Sequence, residues 1–176
     1  MSLIIHKSPE AARDRANAVD TALIPARLVK RAVLFAELQR ATGLIQGIAH
    51  LEVDDLADGA IAMVEGGVYL PSRRVIRIPP GKTTIVTIVP PIQTSKAVLA
   101  YLVAGDAQAL IEFSFDGGQT FTVSTVQGTD HFGRPVPACC GAGAVETAGD
   151  LVIKLTFDRK QAEAFDYLIG YGIGVL

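Results

Sequence analysis

Three histidines, two cysteines and one run of carboxylates are the side chains in this sequence whose chemistry could serve catalysis or metal binding. A nucleophile needs a base within reach and a third group to orient that base. His6, His50 and His131 are scattered among an N-terminal segment, a strand and a loop, and no GxSxG or related nucleophile motif accompanies them. Asp130, His131, Cys139 and Cys140 share one loop and invite a zinc reading. Adjacent thiolates do not easily ligate one tetrahedral ion together, and no CxxC or HxxxH pair supports them, so loop packing is the simpler explanation. Glu52, Asp54, Asp55 and Asp58 would suit calcium by charge, but the run lacks the loop glycine and terminal glutamate of an EF-hand and reads as a solvated connection. The glycine run at 170–174 has no helix after it and so cannot cradle a dinucleotide phosphate. The expectation is a protein that is not an enzyme and carries neither cofactor nor metal.

The most specific local pattern is Ser114-Phe115-Asp116-Gly117-Gly118-Gln119-Thr120-Phe121. Asp116 can accept hydrogen bonds from the N–H groups of its own turn, the glycines supply positive φ, and Phe121 can pack beneath the hairpin. Ser114, Asp116, Gly118, Thr120 and Phe121 resemble the Asp-box of sialidases and many other β proteins. That resemblance implies a hairpin clamp, with a sugar-contacting surface as the alternative. One copy implies no sialidase activity, because a propeller needs several blades and a longer chain.

The elements that must position these residues follow from hydrophobic periodicity. Ser8-Pro9-Glu10 reads as a helix start, with a hydroxyl cap, a proline at the first position and a carboxylate at the positive end. A short helix over 9–20 is predicted. A second helix is predicted over 24–42, with Leu28, Ala32, Phe35, Leu38 and Ala41 on one stripe and Gly43 ending it. After Leu44 the period changes to two. Strands are predicted around Ile76 and Ile78, over 83–89, 96–104, 109–115, 119–126 and 151–157, and over 167–176. Leu151, Ile153, Leu155 and Phe157 form an inward face, and 127–149, rich in Gly, Pro and Ala, reads as a long loop of unassigned role. In the last strand Gly170, Gly172 and Gly174 share one face, with Ile169, Tyr171, Ile173 and Val175 on the other. Such a face has no side chains of its own and invites close packing by another element or another subunit. Strands without helical crossovers predict a mainly β fold: an antiparallel, jelly-roll-like β-sandwich over 44–176 with an N-terminal helical arm over 1–43.

Composition bounds the partners. The chain has 176 residues, 49% hydrophobic and 19% charged, enough to bury a core. A formal net charge of −2 argues against direct nucleic-acid binding, which needs a basic face. The charge is uneven: Lys7, Arg13, Arg15, Arg27, Lys30, Arg31 and Arg40 make residues 1–40 net basic, so the remainder is acidic. No run approaches the ~20 apolar residues of a membrane span. His6, Lys7, Pro9 and Glu10 stand where a signal peptide would be apolar, so a cytoplasmic origin is expected.

The C-terminal third, ALIEFSFDGGQTFTV followed by the long loop, then DLVIKLTFDRK and DYLIGYGIGVL, resembles the end of β-sandwich proteins from bacteriophage tails, necks and baseplates. The resemblance implies a structural subunit of the virion, in tail, neck, baseplate or capsid, assembled in the host cytoplasm. Its partners would be copies of itself and other virion proteins. Subunit contacts would fall on Arg27, Lys30, Arg31 and Phe35 of the arm and on Gly170, Gly172 and Gly174. The alternative is a carbohydrate-binding β-sandwich for recognition of a host surface, with a glycan as partner. The absence of Trp and the aromatic content of 6% count against it at this stage.

Overall fold

The computed structural model describes residues 30–54, 56, 61–124 and 140–176. The predicted first helix, Arg27, the other two histidines besides His50, and Cys139 lie outside them. Helix α1 covers residues 30–41, and a single 3-10 turn at Thr42–Leu44 follows it. Eleven strands come next: β1 (His50–Asp54), β2 (Ile61–Glu65), β3 (Val68–Leu70), β4 (Val75–Ile78), β5 (Thr83–Ile88), β6 (Gln93–Ala104), β7 (Ala109–Ser114), β8 (Thr122–Val123), β9 (Cys140–Asp150), β10 (Val152–Asp158) and β11 (Asp166–Val175).

All pairings are antiparallel. One sheet runs β3-β4-β11-β6-β9, with β1 also on β11, and the other runs β2-β5-β10-β7-β8. β1 and β4 lie along the same edge of β11, at Tyr171–Val175 and Asp166–Leu168 respectively. From β4 to β7, and again from β8 to β11, each connection passes from one sheet to the other. The fold is therefore the predicted antiparallel sandwich with an N-terminal helix.

Alternation builds the core between the sheets. Ile76 and Ile78, Val86 and Ile88, Leu99 and Tyr101, Ile111 and Phe113, and Ile153, Leu155 and Phe157 all point inward and are buried. Each such side chain contributes about 1.5–3 kcal/mol when it is fully removed from water. Tyr101 meets Phe157 edge to face at 5.8 Å, and at its polar end its hydroxyl oxygen accepts the Ala109 N–H at 2.9 Å. Pro90 and Pro91 end β5, and Gly81, at φ 78, turns the chain between β4 and β5.

A second, smaller core lies outside the six-stranded sheet, where Leu38 and Ala41 of α1 pack with Val98, Ala100 and Cys140. The buried positions of α1 are Leu34, Leu38 and Ala41, whereas Phe35 is 42% exposed. The predicted stripe through Ala32 and Phe35 is thus rotated. Spacings of three and four admit two neighbouring stripes on one helix, and the sheet selects the one that seats leucines on glycine.

Two strand expectations also change. Residues 140–150 are strand, not loop. Gly141 and Gly143 there carry no Cβ because Ser124 and the Phe113 ring occupy that space, so the strand lacks the apolar alternation that would announce it. In β11 the register shifts between Leu168 and Gly170, which puts Leu168 in the core and leaves Ile169 half-buried.

Candidate functional site

The hairpin between β7 and β8 organises one end of the five-stranded sheet. Ser114, 1% exposed, donates its hydroxyl to Asp116 Oδ1 at 2.7 Å and accepts the Gly118 N–H at 2.8 Å. Asp116 accepts the N–H groups of Gln119 and Thr120 at 3.0 and 2.9 Å and the Thr120 hydroxyl at 2.6 Å. These bonds hold its carboxyl well below the usual carboxylate range, the Thr120 hydroxyl first, then the Thr120 N–H and the Ser114 hydroxyl. Gly117 and Gly118 take φ of 72° and 91°, and the Gly117 N–H donates to the Asp150 carbonyl at 3.0 Å, tying the turn to the end of β9. Ser114, Asp116 and Thr120 therefore spend their hydrogen-bonding capacity inside the turn and have little left for a ligand.

What the hairpin presents is Phe121. A Cβ on Gly118 would sit 3.9 Å from Phe121 Cζ, so the ring lies against the bare backbone of the turn. On the sheet side Lys154 Nζ stands 3.8 Å from the ring centroid. Around this pair the outer surface of the sheet forms a shallow trough of about 830 Å³. Its apolar lining includes Met63, Val89, Ile92 and Phe121, and its polar lining includes Glu65, Thr87, Gln93, Asp150 and Lys154. Gln93 Nε2 donates to Asp150 Oδ1 at 2.8 Å, which fixes an amide and a carboxylate side by side at the rim.

Strand register orders the surface further. Met63 pairs with Thr87, Thr87 with Lys154, Lys154 with Glu112, and Glu112 with Val123. One row of outward side chains thus crosses all five strands. Among the described residues no element packs on this face. Sequence reasoning missed Met63, Thr87, Glu112 and Lys154, although Glu112 and Lys154 interrupt the apolar alternation of their strands and mark the outward parity.

A larger depression, about 1010 Å³, lies at the opposite end, around Gly105, Asp106 and the 158–166 segment. Its charged groups are engaged with one another: Arg159 reaches Asp106 at 2.6 Å and Asp166 at 2.9 Å. The Arg159 guanidinium holds the Asp106 carboxyl below its ordinary value, chiefly by hydrogen bonding and then by charge. That end reads as a clamp between connections.

The other sequence candidates are dispersed. His50 is exposed on β1, and Asp54 is spent on the Leu56 N–H and the Tyr171 hydroxyl, at 2.6 and 3.1 Å. Among the described residues no group of three His, Cys, Asp or Glu could hold a metal, and no helix is long and apolar enough to cross a membrane. Lys30 is half-buried and Arg31 exposed on α1, while Gly170, Gly172 and Gly174 are buried. A Cβ on Gly170 would stand 2.6 Å from Leu34 Cδ1, and one on Gly172 would stand 3.0 Å from Leu38 Cδ2. One on Gly174 would meet Val98, Leu51 and Ile48 at 2.7–2.9 Å. The chain's own helix and first strand fill the glycine face.

No protein-family model matches the chain, and no curated protein matches it. Solved structures do. The xylan-binding module CBM86 from Roseburia intestinalis aligns at TM-score 0.45 and 16% identity, over 73% of this chain and 97% of that one. The C-terminal CBM6 of LamC from Zobellia galactanivorans aligns at 0.42 and 11%, over 70% and 98%. A family two carbohydrate esterase from Cellvibrio japonicus aligns at 0.42 and 8%, over 72% of this chain and 34% of the esterase.

The expected resemblance to bacteriophage tail, neck, baseplate or capsid proteins is corrected here: carbohydrate-binding modules, a carbohydrate esterase and a serine protease are what these alignments return, and no family model or curated relative speaks for a virion protein. The virion role, the virion partners, the self-assembly and the placement in a host cytoplasm fall with it. The physical reason is that inward alternation such as that of Leu151, Ile153, Leu155 and Phe157 belongs to any two-layer antiparallel sandwich and carries no information about what its outer faces touch.

Proposed function

We propose that the chain is a carbohydrate-binding β-sandwich module whose ligand lies on the outer face of the five-stranded sheet. The observation that carries this reading is the trough beside Phe121 and Lys154, where an apolar floor meets fixed donors and acceptors. A sugar ring has the matching character, with C–H groups on its faces and hydroxyls around its rim. Apolar side chains at Met63, Val89 and Phe121 suit the former, and Thr87, Gln93, Asp150 and Lys154 suit the latter. Nothing about this binding needs a nucleophile or a metal.

The test is affinity electrophoresis through gels containing soluble polysaccharides, with wild type beside Phe121→Ala. Retardation of the wild type in at least one gel, abolished in the folded variant, is the expected result. Unretarded wild-type migration in a broad polysaccharide set, or equal retardation of both proteins, would overturn the proposal.

A further inference from the structure

We infer that the ligand of this face is an uncharged, linear oligosaccharide laid across the strands from β2 to β8, bound through the interior of its chain. The inference rests on the carbohydrate-binding reading and adds length, direction and charge to it.

Direction comes from register. Met63, Thr87, Lys154, Glu112 and Val123 stand directly opposite one another on successive strands, so their side chains form one line perpendicular to the strands. Adjacent strands lie ~4.8 Å apart, so the four steps from β2 to β8 span roughly 19 Å. A single sugar ring cannot touch both ends of such a line. The line also has a graded composition: Phe121 and Lys154 stand near its middle, Thr87 and Glu112 offer hydrogen bonds on either side, and the termini are apolar. Met63 is 49% and Val123 45% exposed, far more than an unliganded core would leave, and they sit where outer sugar rings would rest.

Open ends follow from topology. β2 and β8 are the two edges of their sheet among the described residues, so no described strand walls off the row. A pocket closed at one end selects a chain terminus, whereas a row open at both ends lets a polymer run through.

Charge follows from the same residues. Glu65 and, at the rim, Asp150 line the trough with Lys154, its one cation among the described residues; Glu112 stands beside Lys154 in the row, and Lys154 is held over Phe121. Sulfated or uronate-rich chains would meet a net negative surface, while neutral hydroxyls can donate to these carboxylates.

The experiment is calorimetric titration of the full chain with neutral oligosaccharides, from monomer to hexamer, of the sugar that retards it in gels, and with a sulfated oligomer of the same backbone. Affinity should rise with length and then level off once the row is filled, and the sulfated form should bind more weakly. Met63→Ala and Val123→Ala should each weaken hexamer binding on the order of threefold to tenfold, and by more than they weaken dimer binding. Equal affinity for monomer and hexamer, or preference for the sulfated chain, would overturn the inference and leave the binding reading intact. Absence of binding to every glycan would overturn both.

Discussion

The two sheets of this sandwich treat their outer faces in opposite ways. Where α1 lies on the six-stranded sheet, the outward positions are small, Gly170, Gly172, Val98, Ala100 and Cys140, and the helix reaches this patch through Leu34 and Leu38. On the five-stranded sheet every position in the central row carries a side chain of medium or large size, two of them charged, and no described element covers it. A helix approaches a sheet closely only where side chains are absent, since each methyl under it pushes the axis outward. The glycine face is thus shaped for an internal partner, and the Lys154–Glu112 face for an external one.

The covered face is where substitutions should cost most. Leu38→Ala, at a fully buried position, should destabilise by roughly 2–5 kcal/mol in urea unfolding, because the glycine beneath it cannot fill the cavity. A loss under about 1 kcal/mol would mean that α1 contributes little to the folded state. Gly172→Val comes next. Its Cβ would stand 3.0 Å from Leu38 Cδ2 and 3.3 Å from the Glu52 carbonyl oxygen. A leucine can yield a few tenths of an ångström and a paired strand less readily, so we expect a loss of about 1–3 kcal/mol. A melting temperature at or above wild type would show that the helix moves away at no cost.

Much of this contrast was legible in the sequence. The parity of Ile153, Leu155 and Phe157 gave the inward face of β10 because a half-buried strand has no other way to satisfy both sides. Gly170, Gly172 and Gly174 announced close packing, but the partner was a helix on a stripe one position away from the predicted one, and period counting cannot choose between stripes that share Leu38. β9 was illegible for a related reason: its inward glycines make room for Phe113 and Ser124, and its outward Ala142 packs in the small outer cluster, so the strand has no hydrophobic signature of its own. The pattern of alternating glycines at 141 and 143 repeats that of β11 and was the available clue. The open face was hidden in plain view, since Glu112 and Lys154 become a row only once register aligns their strands.

The hairpin that borders the open face offers a pH-dependent test. Asp116 is ionised more readily in the folded chain than its ordinary value of 3.8 allows, through the Thr120 and Ser114 bonds. A folded-state value below the unfolded one stabilises the fold above the unfolded value, and that contribution is lost as pH falls through the folded value. Wild type should therefore exceed Asp116→Asn in melting temperature by a constant margin from neutral pH down to about 5, and the margin should shrink below about 4. A margin that persists unchanged into strong acid would mean that the turn gains nothing from the charge.

The smallest effect is expected from valine, the residue tested at Gly172, placed on the other face. Thr87 is half-buried in the middle row of the five-stranded sheet, between Met63 and Lys154, and Thr87→Val keeps the branched shape that strands favour. Solvent on this face leaves room for the replaced hydroxyl, so unfolding free energy should stay within about 0.5 kcal/mol of wild type. Valine would then be disruptive at Gly172 and neutral at Thr87, as expected of one covered and one open face. Binding should separate from stability here, because the lost hydroxyl is one of the ligand's hydrogen-bond partners in the proposed row. Calorimetry should show weaker glycan binding by a few-fold, corresponding to about 0.5–1.5 kcal/mol for one hydrogen bond. A stability loss above about 1 kcal/mol would instead mean that an element of the protein already occupies this face. The contrast between the two sheets would then collapse, and the glycan surface with it.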